Sequence, residues 1–173
     1  MSWKTKNSRT VKVESNDSYC SSAMKDRWKN EILPKYETRL GALMPILHDV
    51  QEAHNGIPHA AMLEIADFLK VPASDVLDCV SFYEQYHEHP TGKHVISICQ
   101  SFACEACGHK AILDRIRNKL GIEPHETTRD GKFTLLALEC LGACDTAPCA
   151  LINDKRYDNL TPESIETVLD SLE

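Results

Sequence analysis

Between Met24 and Tyr86 the apolar residues recur at helical spacing. Leu40, Leu43, Leu47 and Val50 trace one helix face. Asn55-Gly56 should end that helix, with Pro58 just beyond. Met62, Ile65, Ala66 and Leu69 predict a second helix. Pro72 suits the first turn of a third, carrying Val76, Leu77, Val80 and Tyr83. Together these predict a small helical bundle over residues 23–90. Cys79 lies near its apolar face and reads as a core residue rather than a ligand. The pattern breaks at His87-Glu88-His89-Pro90-Thr91-Gly92, the best domain boundary. The two histidines there read as part of a solvated linker in preference to a metal site.

Beyond the boundary the period changes. Val95, Ile96 and Ile98 form a short strand running straight into Cys99, and Ala111, Ile112, Ile116 and Leu120 mark a helix closed by Gly121. Thr127-Thr128-Arg129-Asp130-Gly131 is a turn, and Phe133 to Leu138 is a strand delivering Glu139 and Cys140. Ala150–Asn153 pairs with Arg156-Tyr157 as a hairpin across Asp154-Lys155. Thr161 caps a last helix with Pro162 at its first position, burying Ile165, Val168, Leu169 and Leu172. The predicted class is α+β: an N-terminal helical bundle, then a thioredoxin-like α/β domain over residues 91–173.

Residues 1–22 are polar, with Lys4, Lys6, Arg9 and Lys12 ahead of the first acidic residue. A solvated, mobile tail ending near Cys20 fits this better than a transit segment, and Cys20 reads as a bystander. A net charge of −7 argues against a broad nucleic-acid surface. No apolar run approaches the roughly 18 residues that would span a bilayer, which argues against direct membrane insertion. The N-terminus lacks the apolar core of a secretory signal. Eight cysteines without such a signal suggest a reducing compartment and metal or redox chemistry.

Six of the eight cysteines lie between Cys99 and Cys149, as Cys99-x₄-Cys104-x₂-Cys107 and Cys140-x₃-Cys144-x₄-Cys149. Each group begins where a strand ends, and loops at the carboxyl ends of strands are the usual place for ligands. A [2Fe–2S] cluster needs two thiolates on each of two tetrahedral irons, which two separated cysteine pairs supply. One reading takes Cys99, Cys104, Cys140 and Cys144. Another takes Cys99, Cys104 and Cys107 with one later cysteine, in the manner of plant-type ferredoxins. The first is favoured because the second leaves the tight Cys140-Leu-Gly-Ala-Cys144 loop without a purpose. Structural zinc would accept any four thiolates, but the x₄ and x₃ spacings are looser than the usual knuckle. A Rieske centre lacks its second histidine. Cys104-Glu-Ala-Cys107 is formally a thiol–disulfide motif, yet a redox pair would not require the second cysteine group.

Three stretches carry a resemblance: Cys99-Gln-Ser-Phe-Ala-Cys104, Glu126-Thr-Thr-Arg-Asp-Gly-Lys-Phe-Thr134, and Glu139-Cys-Leu-Gly-Ala-Cys-Asp-Thr-Ala-Pro148. They closely resemble the NuoE-type family of respiratory complex I (NADH-quinone oxidoreductase) subunits, thioredoxin-like [2Fe–2S] ferredoxins. Met44-Pro45-Ile46-Leu47-His48-Asp49-Val50-Gln51, Ile57-Pro58, Val80-Ser81-Phe82-Tyr83, Ile152-Asn153-Asp154 and Tyr157 extend it from about Leu43 to the C-terminus.

The resemblance implies cluster ligation by Cys99, Cys104, Cys140 and Cys144. It implies single-electron exchange with FMN on a flavin-bearing, NADH-binding (NuoF-type) partner, beside an adjoining iron–sulfur subunit. The chain itself has no nucleotide-binding fingerprint, as expected if hydride chemistry belongs to the partner. The implied location is cytoplasmic, peripheral to the inner face of the cell membrane, or the mitochondrial matrix in a eukaryote. The same module serves NAD-linked hydrogenases and formate dehydrogenases, so that role stands as an alternative, with a zinc-binding adaptor as a third class.

Cys107 and Cys149 depart from the family pattern. One expectation is that they pair as a disulfide beside the cluster; the other is two unrelated buried thiols. Gly108 and Gly142 are candidates for bringing backbone N–H groups to sulfur. All-cysteine ligation predicts a low potential, roughly the −400 mV of plant-type ferredoxins.

Overall fold

Helix α1 (Ser22–Arg27) opens on Ser21, whose hydroxyl accepts the Met24 N–H. The computed structural model describes residues 18–172. The basic start of the expected tail therefore lies outside the described residues. The helix widens into a π turn over Trp28–Ile32 and closes in a short 3₁₀ turn, Leu33–Lys35. Three helices follow: α2 (Leu43–His54), α3 (His59–Leu69) and α4 (Ala73–Phe82). Asn55 ends α2 in the left-handed conformation, as Asn-Gly predicts. Pro72 stands one residue before α4, at its N-cap, rather than in its first turn.

The core of this unit contains Trp28, Leu43, Ile46, Leu47, Val50, Met62, Ile65, Leu69, Val76 and Val80. Three residues assigned to buried faces do not reach it: Leu40, Leu77 and Tyr83 are exposed. Leu40 lies in a 3₁₀ turn before α2, and Tyr83 is extended at the C-cap of α4, so neither keeps the helical phase. Cys20 corrects a second expectation. It is 1% exposed and packed in this core, and Glu64 accepts the Tyr19 and Cys20 N–H groups. Cys79 is half-buried against the same core.

The described residues divide into two compact units, parted between Glu88 and His89. The second is a five-stranded sheet in the order β2-β3-β1-β4-β5. Its strands are β1 (His94–Cys99), β2 (Glu126–Thr127), β3 (Phe133–Leu138), β4 (Ala150–Ile152) and β5 (Lys155–Tyr157). β1 runs parallel to β3 and antiparallel to β4. Between β1 and β2 come the short α5 (Phe102–Ala106) and α6 (His109–Leu120); α7 (Pro162–Ser171) follows β5. Ile96 and Ile98 of β1, Phe133 and Leu135 of β3, Ile112 and Ile116 of α6, and Ile165 and Leu169 of α7 share one core. That core covers one face of the sheet, and alternation puts Cys99 on the other.

The α+β class is as expected, and so are the strands entering Cys99 and ending at Leu138. Three details differ. β2 is a two-residue edge strand that pattern alone does not reveal; it turns the Asp-Gly segment into a hairpin with β3. The β4–β5 turn is Asn153-Asp154, one residue earlier than expected, because Ile152 pairs with Lys155 and Asn153 takes the left-handed conformation. α5 is too short for periodicity to mark. Thr161 and Ser164 form a full capping box on α7, worth about 1 kcal/mol. Gly92 lies so close to the Phe133 backbone that a Cβ would come within 2.8 Å of it.

Candidate metal centre

Strand pairing brings the two cysteine groups together. Cys99 is the last residue of β1 and stands opposite Leu138, the last residue of β3. Cys140 follows two residues later, so its loop leaves the sheet beside the Cys99 loop. The contact is apolar as well as topological. Ala143, between Cys140 and Cys144, is buried in one cluster with Cys99, Cys104 and Cys149, and Leu141 packs against it.

Cys104 is carried by α5, which Ser101 precedes in an extended conformation. Cys149 enters from the β4 side, where its carbonyl accepts the Cys99 N–H at 3.2 Å. Cys99, Cys104 and Cys149 are all buried, with their sulfurs within 4.8 Å of one another. The Cys104 and Cys149 sulfurs lie 3.8 Å apart. Cys140, Cys144 and Cys107 are exposed. Cys107 caps the end of α5, while Cys149 is buried beside Cys104; the expected Cys107–Cys149 pair thus has one member outside and one inside.

The thiols differ in acidity. Burial pushes Cys99 up, but backbone hydrogen bonds from Ser101 and Leu141 and those of its neighbouring thiols outweigh it, leaving Cys99 below the ordinary thiol value. Burial raises Cys104 and carries Cys149 to about 12. Cys144 is raised chiefly by the charge of Cys140, which places these two thiols close enough to repel when both ionise. Gly142, at a φ of 73°, directs its N–H at the Cys140 sulfur, 3.4 Å away. Gly108 does not play that part; its N–H goes to the Glu105 carbonyl.

A family model, the thioredoxin-like [2Fe-2S] ferredoxin, matches residues 29–173. The chain belongs to this family. This ferredoxin is also 39% identical over 142 residues to the E-type subunit of NADH-quinone oxidoreductase from Mycobacterium bovis, covering 82% of the chain and 56% of that protein. Against its Escherichia coli counterpart it is 41% identical over 135 residues, 78% of the chain and 81% of that protein. It therefore spans just over half the length of the mycobacterial relative. A crystal structure of an NAD+-reducing [NiFe]-hydrogenase in the H2-reduced state shares the fold, with a TM-score of 0.66 and 23% identity over 79% of this chain and 23% of that one.

The cofactor of this ferredoxin is a [2Fe–2S] cluster, and the donor set fits it. Soft thiolates from two loops meet at one sheet end, and backbone N–H groups already point at two of the sulfurs.

What the sequence did not reveal is the company Cys149 keeps: it is neither joined to Cys107 nor an unrelated buried thiol, but a member of the buried sulfur group with Cys99 and Cys104. The apolar run Ala150-Leu-Ile152 marks β4, but it is the antiparallel pairing of β4 with β1, which the run does not fix, that brings Cys149 to Cys99.

Proposed function

We propose that the chain is the electron-transfer subunit of the NADH-oxidising module of an NADH:quinone oxidoreductase. Cys99 and Cys104 from one loop, with Cys140 and Cys144 from the other, would hold the two irons. The convergence of these loops around Ala143 carries the reading, and the mycobacterial and Escherichia coli relatives at about 40% identity support it.

When bound, the cluster takes up and releases one electron at a time. The chain's own residues set how readily. The thiolates make the site negative and keep its potential low. The N–H groups of Ser101 and Leu141 at Cys99, and of Gly142 at Cys140, offset part of that charge and raise it. Burial of Cys99 and Cys104 excludes water from one side, while exposure of Cys140 and Cys144 leaves the other open to a partner.

The partner would be a flavin-bearing, NADH-binding subunit, with an adjoining iron–sulfur subunit next to it. Phe102, 85% exposed within the Cys99–Cys104 loop, is the kind of aromatic that anchors such contacts. Hydride transfer would belong to the partner. The position would be peripheral, in the cytoplasm or matrix; among the described residues no helix is long and apolar enough to cross a membrane. The helical bundle and the sheet unit would act as separate domains of this chain.

Anaerobic pull-down with mass spectrometry, and EPR on the reduced eluate, tests this. The expected result is capture of the flavin-bearing partner and a cluster signal that Cys140→Ser abolishes. A full iron and sulfide content in Cys140→Ser would overturn the ligand set. Capture of a hydrogenase or molybdenum subunit instead would reassign the complex.

A further inference from the structure

Two thiolates on one tetrahedral metal with metal–sulfur bonds of about 2.3 Å are separated by about 3.8 Å. The Cys104 and Cys149 sulfurs are 3.8 Å apart, and Cys99 completes a trio within 4.8 Å. All three side chains are buried and come from three different segments: the end of β1, helix α5 and the approach to β4. Cys140 and Cys144 are not in this group. We propose that Cys99, Cys104 and Cys149 form a mononuclear site for a soft divalent ion of the zinc class, a donor set that differs from the cluster's by including Cys149.

The chemistry of the trio suits this ion. Three thiols supply three soft donors, and a water would fill the fourth tetrahedral position. Binding releases protons from the thiols as the metal–sulfur bonds form, with no change of oxidation state and no further reactant. The pocket is preformed, because Ala143, Leu141 and Ala147 pack around the sulfurs. The site stands on the three sulfurs alone. Its consequence rests on the ligand set proposed above: Cys99 and Cys104 would be shared, so the ion and the cluster exclude one another. Cys149 would hold the inner half of the centre together in a chain that has not yet received its cluster.

The test uses the full chain carrying Cys140→Ser and Cys144→Ser, stripped of metal under anaerobic reducing conditions and titrated with Co²⁺ as a spectroscopic stand-in for zinc. The expected result is binding of a single Co²⁺ with thiolate-to-cobalt charge transfer and tetrahedral ligand-field bands. Even outer-shell changes cost about 10–100-fold in metal affinity, so adding Cys149→Val should weaken binding at least tenfold. It should also remove one thiolate's share of the charge-transfer intensity. Cys107→Ser, outside the trio, should change nothing. Far-UV circular dichroism verifies that each variant folds, and Cys149→Ala replaces the valine variant if that one does not. Failure of the serine background to bind Co²⁺, or equal affinity and intensity with and without Cys149, overturns the site. Neither result touches the cluster reading, which is judged separately by iron and sulfide retained in Cys140→Ser.

Discussion

Cys20 and Cys149 are the same residue type at the same 1% exposure, and burial carries both thiols to about 12. Their surroundings separate them. Cys20 belongs to the apolar core of the helical unit, with Glu64 bonded to its backbone. Cys149 packs against two other sulfurs at the end of the sheet. Burial and acidity alone would rank them together. What distinguishes a structural cysteine from a metal-competent one is convergence: whether strand pairing delivers further thiols to the same point.

The largest effect that would sharpen this contrast is on iron. Cys104→Ser is expected to lose nearly all cluster iron and acid-labile sulfide, measured after anaerobic reconstitution, because a hydroxyl is a poor ligand for iron in this soft site. Cys20→Ser should retain both. Equal iron in the two variants would break the comparison.

Stability gives the reverse pattern. Trp28 is fully buried, donates its indole N–H to Asp49 at 2.7 Å and meets Phe68 edge-on. Arg27 pairs with the same carboxylate. Trp28→Ala should cost about 3–5 kcal/mol in denaturant unfolding while the sheet unit keeps its iron. Cys20→Ala, a smaller truncation in the same core, should cost about 1 kcal/mol, again without loss of iron.

The smallest expected effect is one of pH. Burial holds the half-buried His87 below its ordinary value, and its backbone is tied to Gln51 and Ile57. A lowered folded-state value means the unfolded chain binds the proton more readily. Stability should therefore be full above the unfolded value of about 6.5 and decline as pH falls through the lower folded value. His87→Gln should flatten that decline in thermal melts across this window. An unchanged slope would remove His87 as its source.

The fold was legible where the physics is local. The spacing of Met62, Ile65 and Leu69, the Asn55 stop, the Thr161 cap and the run into Cys99 each depend on near neighbours. Leu40 and Tyr83 were misplaced because helical phase was extended across residues that leave the helix. β2 escaped notice because an edge strand of two residues is made by its partner, not by its own pattern. At the site, the two loops could be read from strand ends. The place of Cys149 could not, since it depends on β4 lying antiparallel beside β1, a pairing that joins Ala150 to Ile98.

The alignment of β1 with β3 places Cys99 across from Leu138. A slip of one residue would turn Cys99 to the helix-covered face of the sheet. The strand ladder thus acts as a ruler for the sulfurs, and a chain assembled out of step would have no means of closing the centre. On the ligand set proposed here, loading of iron and sulfide would double as an inspection of the fold, admitting only molecules whose strands had aligned.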